Sequence, residues 1–158
     1  MCGRATLAAH RQQWGVAHTI FSEALSLHPE YDLALAGIGV CHYNAGNKQA
    51  AWDSFERAVQ RNPENMRGLL GMIELGYQLQ KLPRVQSALE SYLEMHPADI
   101  EFLYSLAGCY FAQDMLDEAK REVEKITLFE PSHRHAIELQ GMITHKLGLE
   151  QRDIPLTK

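Results

Sequence analysis

The chain is patterned as successive pairs of amphipathic helices. Apolar residues recur three and four positions apart over residues 35–42 and again over residues 51–59, which is the spacing of one face of an α-helix. Between the two stripes, Ala45-Gly46-Asn47 combines a helix-ending glycine with a turn-forming asparagine. The pattern therefore predicts two antiparallel helices joined by a tight turn.

This helix pair recurs every 34 residues. Four of the six prolines mark the period, namely Pro29, Pro63, Pro97 and Pro131. Two apolar rows keep the same step: Ala17, Ala51, Val85 and Ala119 form one, and Phe21, Phe55, Leu89 and Val123 form the other. Because a fixed period of about 20–50 residues is typical of repeat architectures, we interpret each unit as a helix pair closed by a proline.

The period and the stripes together predict an all-α chain of nine helices, with an error of about two to four residues at each boundary. Their expected spans are 2–11, 14–27, 31–45, 48–61, 65–79, 82–95, 99–112, 116–129 and 133–147. The four repeat units are expected at 1–31, 32–65, 66–99 and 100–133. The ninth helix has no second helix, so we interpret it as a capping helix that covers the last apolar face. Residues 148–158 are expected to form a flexible tail.

The residues that fill each unit resemble a known family. The second unit reads Leu35-x2-Ile38-Gly39-x2-His42 and then Ala51-x3-Phe55-x2-Ala58-x4-Pro63. The fourth unit has the matching residues Leu103, Leu106, Ala107, Tyr110, Ala119 and Pro131. Over residues 1–147 the chain is similar to the tetratricopeptide-repeat family. The resemblance implies a right-handed superhelical solenoid of four helix-turn-helix units plus a C-terminal capping helix.

The resemblance also implies a binding surface. In this family the first helix of each unit lines the concave face of the superhelix, where a partner peptide or helix binds. Carried over position by position, that face contains Leu33, Ala36, Val40, Tyr43, Asn44, Arg67, Leu70, Glu74, Tyr77, Gln78, Glu101, Tyr104, Gly108 and Phe111. We therefore expect a protein–protein interaction scaffold with an apolar and aromatic groove.

One row of this face is aromatic or imidazole in every unit, namely Tyr43, Tyr77, Phe111 and His145. Aromatic side chains are common anchors for bound peptides, but the same residues can instead brace neighbouring repeats. Both interpretations stay open. Of the two tryptophans, Trp14 is expected to fill the seam of the first helix pair and Trp52 to lie partly exposed on the convex surface.

The third unit departs from the pattern. Ile73 replaces a small residue, Tyr92 replaces alanine and Gly76 replaces a larger side chain, a balance of volumes that close-packed cores tolerate. Gly68, Gly71 and Gly76 each lower helix propensity by about 1 kcal/mol relative to alanine. This helix is therefore expected to be the most pliable part of the array.

Some members of the family hold the C-terminal carboxylate of heat-shock chaperones with a clamp of Lys, Asn and Arg side chains. The matching positions here are Cys2, Thr6, Gly37, Arg67 and Gly71. Of these, Arg67 alone can supply a charge-assisted hydrogen bond to a carboxylate. The clamp is therefore expected to be missing.

Composition narrows the function classes further. The 158 residues are 46% hydrophobic, with a formal net charge of −5 and interspersed acidic and basic residues. The sequence has no basic stripe of the kind that nucleic-acid binders use, and no apolar run approaches the ~20 residues of a membrane-spanning helix. Three widely spaced cysteines do not suggest a disulfide framework, which indicates a reducing, cytoplasmic setting.

No catalytic or metal-binding motif stands out. Cys41 and Cys109 share a helical row and are expected to pack in the core as small hydrophobic residues. His133 and His135 are two positions apart, so they lack the i, i+4 spacing of a metal pair on a helix. We expect no metal, no cofactor and no enzymatic activity.

Two alternatives to a scaffold stay open. Met1 falls in the row of Leu35, so the first helix lacks its opening turn. Either the chain is a piece of a longer array, or the first helix is ragged, or the natural N-terminus is short. The abrupt start also motivates the first alternative to a scaffold, a targeting or regulatory domain taken from a larger enzyme. The second alternative is a self-assembling structural protein whose open repeat ends stack on other copies. An RNA-binding helical repeat is disfavoured by the acidic balance.

Overall fold

The chain is helical throughout the part that a computed structural model describes. That part is residues 2–152, without the side chains of Cys2, His10 and residues 149–152. It contains nine helices and no strand: α1 (Cys2–His10), α2 (Trp14–Leu27), α3 (Asp32–Asn44), α4 (Lys48–Arg61), α5 (Met66–Gln78), α6 (Leu82–Met95), α7 (Ile100–Ala112), α8 (Leu116–Phe129) and α9 (Arg134–Arg152). The all-α prediction is confirmed.

The helices group into two compact bodies. We call Met1–Ala88 the N-terminal body and Leu89–Lys158 the C-terminal body. In the N-terminal body, each of α1 to α4 packs against the helix that follows it, and α3 also contacts α1 and α5. In the C-terminal body, α8 packs between α7 and α9. Helices that follow each other along the chain are thus neighbours in space, as repeat units of paired helices require.

Glycines allow the helices of the N-terminal body to approach closely. A β-carbon at Gly39 would lie 2.6 Å from the ring of Phe55, and one at Gly71 would collide with the opposite side of the same ring. One repeat unit earlier, a β-carbon at Gly37 would collide with the ring of Phe21, as one at Gly71 would with the ring of Phe55. These glycines therefore act as contact surfaces for aromatic rings, which balances their low helix propensity.

The turn inside each unit uses the same backbone conformation. Gln12, Gly46, Gln80 and Asp114 have positive φ values of 58°, 79°, 56° and 59°. They are spaced by 34 residues, so each unit turns between its two helices through one left-handed residue. The residue that follows the C-cap of a helix commonly adopts this conformation. Since only one of the four is glycine, the left-handed conformation of this turn does not require glycine.

Trp52 corrects the sequence prediction. Its side chain is buried, with 1% exposed, and does not lie partly exposed on a convex surface. The indole lies beside Gly76, which leaves room for it. Its Nε1 donates a hydrogen bond to Glu56 at 3.2 Å, and the ammonium of Lys81 lies 4.9 Å from the ring centre. A tryptophan on the second helix of a unit is therefore covered by the following unit.

The other core predictions have clear outcomes. The side chains of Cys41 and Cys109 are buried, as expected for core residues, and burial raises the pKa of Cys41. Trp14 is half-buried and packs against the cluster that joins α1 to α2. At the C-terminus, α9 continues five residues beyond its expected end at 147, to Arg152. The remaining part of the expected tail, residues 153–158, lies outside the described residues.

Candidate functional site

The N-terminal body has a groove on the side of α1, α3 and α5. Its volume is about 590 Å³, and we call this surface the groove. These are the first helices of three successive units, so side chains one repeat step apart meet along it. The groove is lined by Thr6, Phe21, Asp32, Leu33, Ala36, Asn62, Glu64, Asn65, Met66, Arg67 and Leu70.

Apolar side chains make up much of the lining. Leu33 and Leu70 expose 54% and 55% of their surface, and Met66 exposes 43%. Between them, Ala36 is buried and its small side chain leaves space. Exposed apolar groups that converge on a concave surface are typical of sites that bind a partner.

Three hydrogen-bonded polar residues border these apolar residues, and we call them the polar wall: Asp32, Asn62 and Asn65. The carboxylate Oδ2 of Asp32, in the first turn of α3, accepts hydrogen bonds from the amides of Asn62 at 2.9 Å and Asn65 at 2.8 Å. Asn65 is buried and caps α5, because its Oδ1 accepts the backbone N–H of Gly68 at 2.9 Å. An acidic group at a helix N-terminus is favoured by the helix dipole. The carboxylate of Asp32 is thus held in one orientation at the edge of the groove.

Arg67 extends the groove towards the N-terminal helices. Together with Thr6 it also lines an adjoining depression of about 280 Å³, which is completed by Ala9, Trp14 and Val40. Arg67 is exposed. The exposed acidic Glu64 lies among the lining residues of the main groove. The surface therefore combines apolar contacts with charges of both signs.

The structure brings together some of the predicted site residues. Leu33, Ala36, Arg67 and Leu70 line the groove, and Val40 lines the adjoining depression. Asn44 is exposed and its amide donates to the carbonyl of Val40 at 2.9 Å. Tyr77 and Gln78 are exposed towards the C-terminal end of α5, outside both lining sets.

Tyr43 and Glu74 form a link between α3 and α5. The Tyr43 hydroxyl donates a hydrogen bond to a carboxylate oxygen of Glu74. This hydrogen bond raises the pKa of Tyr43, since it favours the protonated phenol. The first member of the aromatic row thus connects two successive repeat units, which agrees with a bracing role for this residue.

The predicted residues of the C-terminal body have different surroundings. Glu101 is exposed and Gly108 is half-buried on α7. Tyr104 stands two repeat units after Ala36, and its ring lies 5.8 Å from that of His133 and 6.0 Å from that of His135. A large ring therefore takes the position where the N-terminal body has an alanine.

Phe111 is half-buried, and the ammonium of Lys146 from α9 lies 5.3 Å from its ring centre. The same ammonium is paired with Asp114. Because a cation over an aromatic face is attracted by the ring, Lys146 ties α9 to the end of α7. His145, next along the aromatic row, is exposed on α9.

The residues of the polar wall were not predicted from the sequence. Asp32, Asn62 and Asn65 were absent from the predicted set, although an asparagine directly before an apolar helical stripe is a signal for a helix N-cap. That signal was available for Asn65. It does not reveal the hydrogen bond to Asp32, which lies 33 residues earlier in the chain.

Between residues 2 and 152, no group of three His, Cys, Asp or Glu side chains is placed to hold a metal ion. Within the same range, no helix combines the length and the apolar character needed to cross a membrane.

Comparison with known families identifies the repeats. Residues 2–66 match one tetratricopeptide-repeat model and residues 77–143 match another. The chain belongs to the tetratricopeptide-repeat family. This agrees with the 34-residue period and with the helix pairs of the structure.

Two curated relatives are much longer than this chain. The Protein CTR9 homolog of Arabidopsis thaliana is 28% identical over 94% of this chain, which spans 14% of that protein. The Cellulose synthase operon protein C of Pseudomonas fluorescens (strain SBW25) is 26% identical over 72% of this chain, which spans 9% of that protein. The chain thus corresponds to a small part of each of these relatives.

Solved structures share the tetratricopeptide-repeat fold. YrrB, described as a tetratricopeptide-repeat protein with an unusual peptide-binding site, is 22% identical, with a TM-score of 0.78 over 93% of this chain and 76% of its own. MamA from Desulfovibrio magneticus RS-1 is 16% identical, with a TM-score of 0.73 over 92% and 82%. The first repeat domain of Spaghetti (RPAP3), bound to the HSP90 peptide SRMEEVD, is 19% identical, with a TM-score of 0.62 over 75% and 94%.

Proposed function

We propose that this chain is a protein-binding module that takes an extended segment of a partner protein in the groove. The main support is the convergence of three exposed apolar side chains, Leu33, Met66 and Leu70, on one concave surface. Two structures of the same fold are described as having a peptide-binding site or a bound peptide. Such apolar side chains favour binding because a partner removes their surface from water.

The polar wall gives the groove a means of orienting a peptide. A carboxylate can accept about four hydrogen bonds, and the side-chain amides of Asn62 and Asn65 supply two to Asp32. Its remaining capacity suits a main-chain N–H of an extended peptide or a basic side chain. Because Asp32 is already held by two amides, little side-chain entropy is lost when it engages a ligand.

The ligand that suits this surface is an internal, apolar segment. Leu33, Ala36 and Leu70 provide contacts for aliphatic or aromatic side chains. Arg67 is a single cation at the edge of the groove, in contrast to the several cationic and amide side chains of a carboxylate clamp. The proposed recognition therefore depends on apolar burial and main-chain hydrogen bonds and not on a terminal carboxylate.

Selection of peptides tests this proposal. Random peptides displayed on phage are enriched on the wild-type protein, and their binding is then measured on the double variant Leu33→Ser with Leu70→Ser. We expect binding to be lost while the protein stays folded, because each change of an exposed residue alters stability by only about 0.5 kcal/mol. Leu128→Ser is the matched control, since Leu128 is a 79% exposed leucine on α8.

Either of two results would contradict the groove assignment. The first is that the enriched peptides bind the double variant as well as they bind the wild type. The second is that the Leu128→Ser control loses binding as fully as the double variant, which would indicate nonspecific apolar adhesion. Circular dichroism and urea unfolding of all three proteins show whether each variant remains folded.

A further inference from the structure

The carboxylate of Asp32 is the charged member of the polar wall, and the two asparagines orient it without neutralising it. Asn62 Oδ1 accepts the backbone N–H of Glu64 at 3.0 Å. In the same way, Asn65 Oδ1 accepts the backbone N–H of Gly68. Both side chains therefore turn their NH2 groups towards Asp32 and donate to its Oδ2. Because an amide carries no net charge, the negative charge of the carboxylate remains.

The second oxygen of this carboxylate, Oδ1, is left for a ligand. In the described part of the chain, the hydrogen bonds to the Asp32 carboxylate end on Oδ2, and none ends on Oδ1. Asp32 forms no ion pair with a described residue, although the cation Arg67 lines the same groove. The exposed Glu64 adds another negative charge to the lining. The edge of the groove at the polar wall is therefore negatively charged.

A partner segment that covers the groove removes water from this carboxylate. Asp32 is half-buried before any partner binds, and burial of a carboxylate without an opposite charge is costly. A main-chain N–H of the partner can donate to Oδ1, but it leaves the negative charge uncompensated. A lysine or arginine side chain supplies a donor and the opposite charge together, and such charge-assisted hydrogen bonds are about twice as strong as neutral ones.

We infer that the groove selects partner segments that carry a basic side chain, which binds Asp32 through Oδ1. This inference rests on the proposed function, because it specifies the chemistry of the segment that occupies the groove. The basic residue is expected close to an apolar residue of the segment, since Asp32 directly precedes the exposed, groove-lining Leu33. The aliphatic stem of lysine or arginine packs on apolar surface while its charged end reaches the carboxylate.

Parallel selection of peptides measures this preference. One library of random peptides on phage is selected on the wild-type protein and on Asp32→Asn, and the enriched peptides are sequenced. Asparagine keeps a carbonyl oxygen that accepts the two amides, so the variant is expected to fold, and circular dichroism checks this. We expect lysine and arginine to be enriched on the wild type and not on Asp32→Asn.

Asp53→Asn is the matched control. Asp53 is an exposed aspartate of α4 that also accepts a side-chain amide, from Gln49 at 2.6 Å, and it does not line the groove. The control therefore removes the same charge from the N-terminal body at another place. We expect peptides selected on Asp53→Asn to show the same enrichment of lysine and arginine as those selected on the wild type.

A double-mutant cycle locates the contact. A peptide enriched on the wild type is synthesised with its basic residue and with methionine in that place, and fluorescence polarisation measures both peptides on both proteins. We expect Asp32→Asn and the methionine replacement each to weaken binding about tenfold, the size expected for a hydrogen bond to a charged group. Both changes together are expected to weaken binding no more than either alone. The methionine peptide tests the contact on the wild-type protein, so the result does not depend on the folding of the variant.

Two outcomes would overturn the inference while the groove assignment stands. In the first, peptides that lose binding on Leu33→Ser with Leu70→Ser carry no excess of lysine or arginine, or bind Asp32→Asn as tightly as the wild type. In the second, the losses from Asp32→Asn and from the methionine replacement add, which would place the basic residue against another group, such as Glu64. If the selected peptides instead bind the double serine variant as tightly as the wild type, the groove assignment and this inference both fail.

Discussion

The ring of Phe55 fills the space that a side chain at position 71 would need. Its other side meets Gly39, so the ring lies between two glycines and cannot move away. We expect Gly71→Ala to destabilise the protein by up to about 2 kcal/mol, because overpacking costs about 1–3 kcal/mol while alanine gains about 1 kcal/mol in helix propensity. Urea unfolding measures the difference.

The control for that change is Gly141→Ala. Its surroundings are open, so alanine is expected to gain about 1 kcal/mol of stability from helix propensity alone. If both alanine variants were stabilised alike, the contact between Phe55 and Gly71 would not be close in solution.

Trp52 is predicted to be a major stabilising residue. Its side chain is buried between helices of the N-terminal body, and Trp→Ala changes in cores cost about 3–5 kcal/mol. We expect Trp52→Ala to fall in this range in chemical denaturation, and the half-buried Trp14→Ala to cost clearly less. A Trp52→Ala variant as stable as the wild type would show that the indole is exposed in solution.

Tyr77 and Phe111 test the two interpretations of the aromatic row. Tyr77 is 47% exposed, so we expect Tyr77→Ala with Phe111→Ala to remain folded and to lose about 2 kcal/mol of binding to a selected peptide if these residues are anchors. Thermal melting and fluorescence polarisation report the two quantities separately. Unfolding of the double variant, or a melting temperature far below that of the wild type, would show that these residues brace neighbouring repeats. The contact of Lys146 with the ring of Phe111 is a physical basis for that role.

The chaperone peptide SRMEEVD is predicted not to bind specifically. Gly37 and Gly71 lie against the rings of Phe21 and Phe55 and have no side chain to offer, and Thr6 is neutral. Of the described residues that line the groove, Arg67 alone is a cation, whereas a clamp uses several charge-assisted hydrogen bonds. In fluorescence polarisation, we expect SRMEEVD to bind no better than its scrambled sequence. Tight binding that is lost on amidation of the peptide C-terminus would refute the expectation.

The stability of the N-terminal body is expected to depend on pH through His42. Burial lowers its pKa below 6.5, and repulsion from His18 lowers it further; the two rings are 5.4 Å apart. The unfolded chain therefore binds a proton more readily than the folded chain, so stability should fall as the pH drops from about 6.5 through the folded pKa. We expect this loss to shrink in His42→Gln.

NMR titration separates the two causes of that shift. In His18→Gln the pKa of His42 should rise but stay below its usual value, because burial is the larger cause. A pKa of His42 that is unchanged by His18→Gln would show that the two imidazoles do not interact.

Features that depend on residues close together in the chain could be predicted from the sequence. Features that depend on contacts with another repeat unit could not. The helices follow from apolar spacing within single segments, and the repeat period fixes their order. The left-handed residues Gln12, Gln80 and Asp114 are not glycines, so a search of the sequence for glycine does not find these turns. Burial of Trp52 requires Gly76 of the next unit, which a reading of α4 alone does not reveal.

The candidate site shows the same limit. Of the positions carried over from the family, Leu33, Ala36, Arg67 and Leu70 line one groove. It did not find Asp32, because the role of that carboxylate arises from amides about one repeat unit farther along the chain. Polar networks that span repeat units are thus the part of such a site that a one-dimensional pattern does not contain.

The contacts of Phe21 with Gly37 and of Phe55 with Gly71 restrict how the length of this chain can change. Removal of residues 22–55, one complete period, would bring Gly71 opposite Phe21 in place of Gly37. Removal of one residue fewer or one residue more would instead set Leu70 or Met72 against that ring. Homologues that keep these rings are therefore expected to gain or lose helical sequence by whole periods, while insertions of one or two residues are confined to the turns.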